Sequence, residues 1–179
     1  NTTFTVTALG ADLLASGTAG FINVTTESDD SNSETLTITT GSGDMTITGV
    51  DTDDSLTIDA DELASGDTLT IDGAADATVN NVATGVTIDA DGDGGGAALS
   101  DTLTVNLDSS ASNVTVKTGT ANTDISGGSS VDVEADELAD NNTLTLTGAA
   151  AATITGLIGD VDASGSSGTL DITTSATTT

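Results

Sequence analysis

Residues 35–59 read TLTITTGSGDMTITGVDTDDSLTID, and this stretch decides the fold. It contains three apolar–Thr–apolar triplets, centred on Thr37, Thr46 and Thr57. Such alternation is typical of a β-strand with one buried face and one face in water. The segments between the triplets, such as GSGD at 41–44, supply the positive-φ and Asx-turn conformations of tight corners. The stretch therefore predicts short strands joined by tight corners.

The same pattern recurs along most of the chain. Further triplets occur, for example, at residues 103–105, 114–116 and 144–146, again separated by clusters of Gly, Ser, Asn and Asp. The sequence therefore predicts an all-β protein.

Two kinds of internal repeat are visible. The triplets that begin at Leu36, Leu103 and Leu170 are spaced by 67 residues, and each is preceded by Thr. In addition, DADELASGDTLTIDGAADATV from Asp59 matches EADELADNNTLTLTGAAAATI from Glu134. Repetition of this kind indicates tandem duplication. We therefore expect a partial N-terminal repeat at 1–34, full repeats at 35–101 and 102–168, and the start of an unfinished repeat at 169–179.

The repeat length favours a β-solenoid, similar to a parallel β-helix. Each 67-residue unit divides into three stretches of about 22 residues with two strand signals each, and such a coil buries its apolar face only against neighbouring coils. About eight coils spaced by about 4.8 Å give a rod about 40 Å long. The alternative is an antiparallel β-sandwich, which shares the alternation and the turn spacing.

Charge and composition exclude several classes of function. The 179 residues include 29 acidic side chains and one basic side chain, Lys117, for a formal charge of −28. Nucleic acid and anionic membranes are therefore excluded as electrostatic partners. The chain lacks His, Cys, Trp and Tyr, so the common general bases, thiolate nucleophiles and transition-metal ligands are missing. We expect no enzymatic activity, and no stretch is apolar enough to predict a membrane span.

The abundant carboxylates point to hard cations instead. DADGDG at 89–94 matches the D-x-D-x-D-G start of a calcium loop, although the twelfth position is Ser100 and the next acid is Asp101. The duplicated acidic corner is a second candidate, since neighbouring carboxylates repel unless a cation or water separates them. The alternative interpretation is a set of solvated acidic turns. The predicted calcium ligands are Asp89, Asp91, Asp93, Asp101, Asp59, Asp61, Glu62, Glu134, Asp136 and Glu137.

Residues 143–174, TLTLTGAAAATITGLIGDVDASGSSGTLDITT, resemble the degenerate β-strand repeats of giant bacterial secreted and cell-surface proteins. These include RTX-like adhesins and calcium-dependent surface-layer proteins. The resemblance implies export, an extracellular or cell-surface location, calcium-dependent folding, and a scaffold or adhesive role. The glycine-rich nonapeptide that binds calcium in RTX repeats does not occur in this chain, so no ligand is carried over from that motif.

Taken together, these features predict a structural module of an extracellular filament, adhesin or surface layer that calcium makes rigid. We expect self-association into a homopolymer or contact with neighbouring repeats of the same chain. In the homopolymer, residues 169–179 of one copy would complete the coil at 1–34 of the next by strand addition. The alternative function is recognition of a ligand or of ice through the Thr and Asp surface.

Overall fold

The computed structural model describes residues 3–28, 33–148 and 150–175. Residues 1–2 and 29–32 of the expected partial repeat, residue 149, and residues 176–179 of the expected exchange segment lie outside these ranges. Within the described ranges the regular secondary structure consists of strands β1 to β17 and includes no helix. In particular, this part of the chain forms no apolar helix long enough to cross a membrane.

The strands alternate between two sheets, which we call the odd sheet and the even sheet. The odd sheet contains β1 (Thr3–Leu9), β3 (Phe21–Thr26), β5 (Met45–Gly49), β7 (Thr68–Gly73), β9 (Thr87–Asp89), β11 (Val114–Lys117), β13 (Ser130–Glu134), β15 (Ala151–Leu157) and β17 (Leu170–Thr174). The even sheet contains β2 (Leu13–Leu14), β4 (Thr35–Thr39), β6 (Ser55–Asp59), β8 (Asp76–Val82), β10 (Leu103–Leu107), β12 (Thr123–Gly127), β14 (Thr143–Gly148) and β16 (Asp160–Ser166).

Every strand pairs in parallel with the strand two positions along the chain. The chain therefore winds as a β-solenoid of about eight coils, with one strand of each coil in each sheet. The solenoid prediction is confirmed. The alternative β-sandwich does not form, because it requires antiparallel neighbours and all of these pairings are parallel.

Rows of stacked apolar side chains fill the space between the sheets. The longest row in the odd sheet, which we call the core row, consists of residues in register on successive strands: Phe4, Ile22, Met45, Leu69, Ile88, Val116, Val133, Ile154 and Ile172. From Ile22 to Ile154 every member is at most 1% exposed. Burying each such side chain stabilises the fold by about 1.5–3 kcal/mol relative to leaving it exposed.

The duplicated acidic motif forms a corner whose small and apolar side chains complete the core. Ala60 and Leu63 are buried in the first copy, as are Ala135 and Leu138 in the second. The Leu63 amide closes the corner by donating to the carbonyl of Ala60 at 3.2 Å. The acidic residues between these positions face solvent. In both copies the Ala and the Leu of the motif are thus the positions that the core uses.

The two copies of this motif lie on different sheets. The first follows β6 of the even sheet, and the second follows β13 of the odd sheet. The 67-residue spacing behaves in the same way, since Leu36 and Leu103 lie in the even sheet and Leu170 lies in the odd sheet. A strand and the corner that follows it make up half a coil. The same half-coil sequence therefore occurs in both sheets. The repeat boundaries at residues 35, 102 and 169 remain predictions.

Both ends of the solenoid leave apolar side chains exposed. Phe4 and Leu14 are 52% and 74% exposed at the N-terminal end, and Leu170 and Ile172 are 40% and 42% exposed at the C-terminal end. The odd sheet ends in β1 on one side and β17 on the other. Among the described residues, β1 pairs with β3 and β17 pairs with β15, so these apolar side chains lie at the two edges of the described sheets.

Candidate functional site

Three acidic side chains and the sole lysine meet on the outer face of the odd sheet. The register places Thr70 of β7 beside Asp89 of β9, and Asp89 beside Lys117 of β11. Asp72 lies two residues beyond Thr70, and Asp91 two residues beyond Asp89. The parallel stack thus joins residues from three successive coils. We call Asp72, Asp89, Asp91 and Lys117 the lysine cluster.

The centre of the lysine cluster is an ion pair between Lys117 and Asp91. The Lys117 Nζ lies 2.9 Å from the Asp91 Oδ2 and 4.0 Å from the Asp89 Oδ2. The Asp91 side chain is 3% exposed, and it also accepts a hydrogen bond from the Asp93 amide at 2.8 Å. Since this carboxylate is nearly buried, the ammonium and the amide replace the water that it has lost.

Burial and neighbouring charge shift the pKa values of the cluster in opposite directions. Burial, together with the adjacent Asp91, raises the pKa of Asp89 to about 6. Burial also acts to raise the pKa of Asp91, but the bonds from Lys117 and the Asp93 amide outweigh it and lower that pKa. The hydrogen bond to Asp91 is the main cause that raises the pKa of Lys117. The ammonium is therefore held firmly in its charged form.

The loop at 91–98 is an insertion at one corner of the solenoid. The Leu99 amide donates to the carbonyl of Ala90 at 2.9 Å, and both side chains are buried, as Ala60 and Leu63 are at their corner. Eight residues therefore lie between Ala90 and Leu99 where two lie between Ala60 and Leu63, and the core corner remains intact. The eight residues extend over the outer face of the odd sheet.

This inserted loop covers Asp72. A Cβ atom at Gly96 would overlap the Asp72 carboxylate, so the loop backbone packs directly on that side chain. Asp72 is 6% exposed, and its Oδ1 is buried without a hydrogen-bond partner. Burial first, and then the charge of Asp91, raise the pKa of Asp72. The loop thus holds a carboxyl group in an environment that disfavours its charge.

The structure brings some of the predicted calcium ligands together and separates others. Asp89 and Asp91 are adjacent, but the ammonium of Lys117 lies against both of them. Asp93 is exposed and contributes its amide to Asp91. Asp101 lies elsewhere, where it accepts a hydrogen bond from its neighbour, the Thr102 amide, at 2.9 Å.

Asp101 shares that donor with Asp76 of the adjacent coil. The Thr102 amide also donates to the Asp76 Oδ1, at 3.1 Å. Burial first, and then a hydrogen bond with Asp101, raise the pKa of Asp76. The Asp76 carboxyl therefore holds its proton more tightly than an isolated aspartate does.

The acidic corners face water. Asp61 and Glu62 of one copy and Asp136 and Glu137 of the other are exposed. Asp59 accepts a hydrogen bond from the Asn81 Nδ2 at 2.9 Å.

Glu134 follows Lys117 in register, and its charge helps to raise the lysine pKa. In the part of the chain that the structure describes, no three Asp or Glu residues form a group that could hold a metal ion. Calcium binding by the ten residues remains a prediction.

The sequence analysis predicted neither Asp72 as a site residue nor the ion pair of Lys117. The lysine lies 26 residues from Asp91 in the chain, so the contact follows only from the coil lengths. One signal was present in the sequence, since a single cation in a chain of charge −28 is expected to sit among carboxylates. Comparison with protein-family models, curated proteins and solved structures finds no match to this chain.

Proposed function

We propose that this chain is a non-enzymatic structural module, a rod section of an extracellular bacterial filament, adhesin or surface layer. The observation that carries the proposal is the core row, which stays at most 1% exposed from Ile22 to Ile154. In repeat folds of this kind each coil packs only on its neighbours, so the same core supports a rod of many coils.

The fold suits a mechanical role. Each coil buries its apolar side chains only against the coils above and below it, so stability depends on the stack as a whole. Parallel ladders in both sheets join all of these coils. A module of this kind keeps its two ends at a fixed distance and acts as a spacer or as the unit of a polymer.

The extracellular location is supported by the resemblance of residues 143–174 to repeats of secreted bacterial proteins. The charge of −28 is consistent with it, because strong self-repulsion keeps an exported chain soluble. The same repulsion opposes compact folding, and this provides a physical reason for a cation partner.

We assign that partner role to calcium, as a bridge between carboxylates of adjacent coils. The pair formed by Asp76 and Asp101 fits this role best, because these carboxyl groups come from adjacent coils and lie close enough to accept hydrogen bonds from the same Thr102 amide. Backbone carbonyls and water would complete the oxygen ligands of a hard cation. Such binding stabilises the native state by mass action.

A thermal melt followed by circular dichroism tests the role of calcium. At about 100 times its dissociation constant, an ion stabilises the fold by about 2.7 kcal/mol, which raises the Tm by about 5–10 °C for a chain of this size. We expect that increase with millimolar calcium over EDTA, and a smaller one with magnesium at matched ionic strength. Asp101→Asn removes part of the calcium effect, whereas Asp124→Asn, an exposed site away from the pair, retains it. Equal effects of calcium and magnesium would show that only charge screening is at work.

One observation favours the second candidate, recognition of a ligand or of ice. Thr37, Thr57, Thr78 and Thr104 lie in register on the outer face of the even sheet. Asp124 interrupts this row on the next strand. A recognition face of this kind would act in the monomer, whereas the structural role predicts polymers or a place within a longer array.

A further inference from the structure

We propose that the inserted loop at 91–98 is a proton-controlled cover, which lies closed over Asp72 when that carboxyl is protonated and lifts from the sheet when the carboxyl is charged. The movement concerns this loop alone, and the two sheets keep their core. The inference goes beyond the structural role and depends neither on calcium nor on polymerisation.

Asp72 occupies a position that would face water if the loop were absent. Side chains of a strand point to alternate faces, and along β7 Thr70 is partly exposed whereas Ile71 is buried. Asp72 follows on the outer face, yet it too is buried. Its register partner one coil away, Thr48 of β5, is partly exposed. The burial of Asp72 is therefore due to the loop and not to its strand.

The loop can lift without disturbing the core, because a hydrogen bond closes it at its base. The Leu99 amide donates to the carbonyl of Ala90 at 2.9 Å, and both of these side chains are fully buried. Four of the eight loop residues are glycine, at 92 and 94–96. Gly92 begins the loop with a φ of 79°, which glycine adopts without strain. The structure thus combines a fixed base with a backbone of high conformational freedom.

The bond that ties the loop to the sheet lies beside Asp72. The Gly73 amide, next to Asp72 in β7, donates to the carbonyl of Ala97 at 3.2 Å. Gly96, one residue before Ala97, packs its backbone on the Asp72 carboxylate. Residues 93–97 are exposed, so they bury little apolar surface that would hold the loop down. The closed position therefore depends on the contacts around Asp72.

A charged Asp72 opposes this closed position. The side chain is 6% exposed under the loop, and its Oδ1 is buried without a hydrogen-bond partner. A carboxylate that loses water without gaining partners destabilises the state that buries it. A protonated carboxyl carries no charge, and its hydroxyl can donate to a carbonyl. Lifting the loop returns the charged group to water.

The charged groups on the neighbouring elements act in the same direction. The polar residues around Asp72 are Thr48 on β5, Asp89 at the end of β9, Asp91 and Asp93 on the loop, and Lys117 on β11. The lysine ammonium is bound to Asp91 at 2.9 Å. Burial first, and then the charge of Asp91, raise the pKa of Asp72. The closed loop thus binds the proton more tightly than the open loop, so closure is favoured at low pH and is lost as the pH rises through the raised pKa.

Amide hydrogen exchange of the full chain, followed by NMR in EDTA, tests the proposal. The Gly73 amide reports the bond between sheet and loop, and the Leu99 amide reports the base of the loop. From about pH 4.5 to about pH 7, where carboxyl groups with a raised pKa lose their protons, the protection factor of Gly73 should fall several-fold. The protection factor of Leu99 should stay constant, because the core corner does not open.

Two substitutions identify the titrating group. Asp72→Asn keeps the size of the side chain without its charge, so Gly73 should stay protected at both pH values. Asp132→Asn removes an exposed carboxylate from the same face of the odd sheet and should keep the pH dependence of the wild type. Circular dichroism of both variants checks that the β-sheets are retained.

Three results would overturn the inference. Equal loss of protection at Gly73 and Leu99 would show that the whole coil opens and not the loop. A pH dependence that persists in Asp72→Asn would assign the titration to another group, such as Asp89. Full protection of Gly73 at pH 7 after millimolar calcium replaces the EDTA would mean that a cation, and not a proton, closes the loop.

Discussion

Lys117→Met should lower the melting temperature by about 5–10 °C at pH 7. The substitution leaves Asp91, whose side chain is 3% exposed, without its counter-ion at 2.9 Å. Removing one partner of a fully buried pair destabilises by about 3–5 kcal/mol. The lysine side chain is 24% exposed, so water takes up part of the loss, and we expect about 2–3 kcal/mol. Differential scanning calorimetry measures the shift directly.

The decrease in melting temperature caused by Lys117→Met should become smaller as the pH falls. The pKa of Asp89 is raised to about 6 in the folded state from an ordinary value of 3.8. The native state therefore binds more protons than the unfolded state between these values, and the contribution of Asp89 to stability falls as the pH rises from about 4 to about 6. At pH 4.5 Asp89 is protonated, and the lysine has one less charge to compensate. The Tm difference between wild type and Lys117→Met should be smaller there than at pH 7.

A second substitution identifies the cause. Asp91→Asn in the Lys117→Met background removes the uncompensated charge and should restore most of the lost stability. Thr153→Met, at an exposed position on the same face of the odd sheet, controls for the change in surface and should shift the Tm little. A Lys117→Met protein that is as stable as wild type at pH 7 would show that the ion pair contributes nothing.

The second large effect is expected at the duplicated corner. Leu138→Ala should destabilise the fold by about 2–5 kcal/mol, because the leucine is fully buried and its truncation leaves a cavity between coils. Leu63→Ala should have an effect of the same size at the other copy. Urea unfolding at pH 7 measures both free energies of unfolding.

The neighbouring acids provide matched controls. Glu137→Ala and Glu62→Ala alter exposed side chains and should change the free energy of unfolding by less than about 0.5 kcal/mol. This contrast tests whether the motif is duplicated for its apolar positions or for its charges. Equal losses at Glu137 and Leu138 would contradict the packing interpretation and make the corner a cation site.

The alternation of apolar and polar side chains was sufficient to predict most of the fold. Triplets such as Leu36-Thr37-Ile38 predicted strands with one buried face, and the repeat of about 22 residues predicted coils. Parallel pairing followed from the coil, because each strand must meet its equivalent one turn later. This part was predictable because periodicity and turn residues are local properties of a sequence.

The lysine cluster depended on information that is not local. Lys117 meets Asp89 only because the coil between them, which includes the inserted loop at 91–98, has a particular length. A shift of one residue in the pairing of β9 with β11 would turn these side chains to the other face and separate the charges. The D-x-D-x-D-G pattern indicated the position of an acidic loop, but the pattern alone could not reveal that an ammonium lies beside its first two carboxylates.

Electron cryomicroscopy of the concentrated chain at about 0.15 M salt tests the central claim most directly. If copies of the solenoid polymerise end to end in the parallel orientation of its sheets, each adds nine strand spacings of the odd sheet to the rod. We predict filaments one solenoid wide, with a strand spacing of about 4.8 Å and an axial repeat of about 43 Å per copy. Separate particles at every concentration, or filaments with a different axial repeat, would contradict end-to-end stacking of these solenoids.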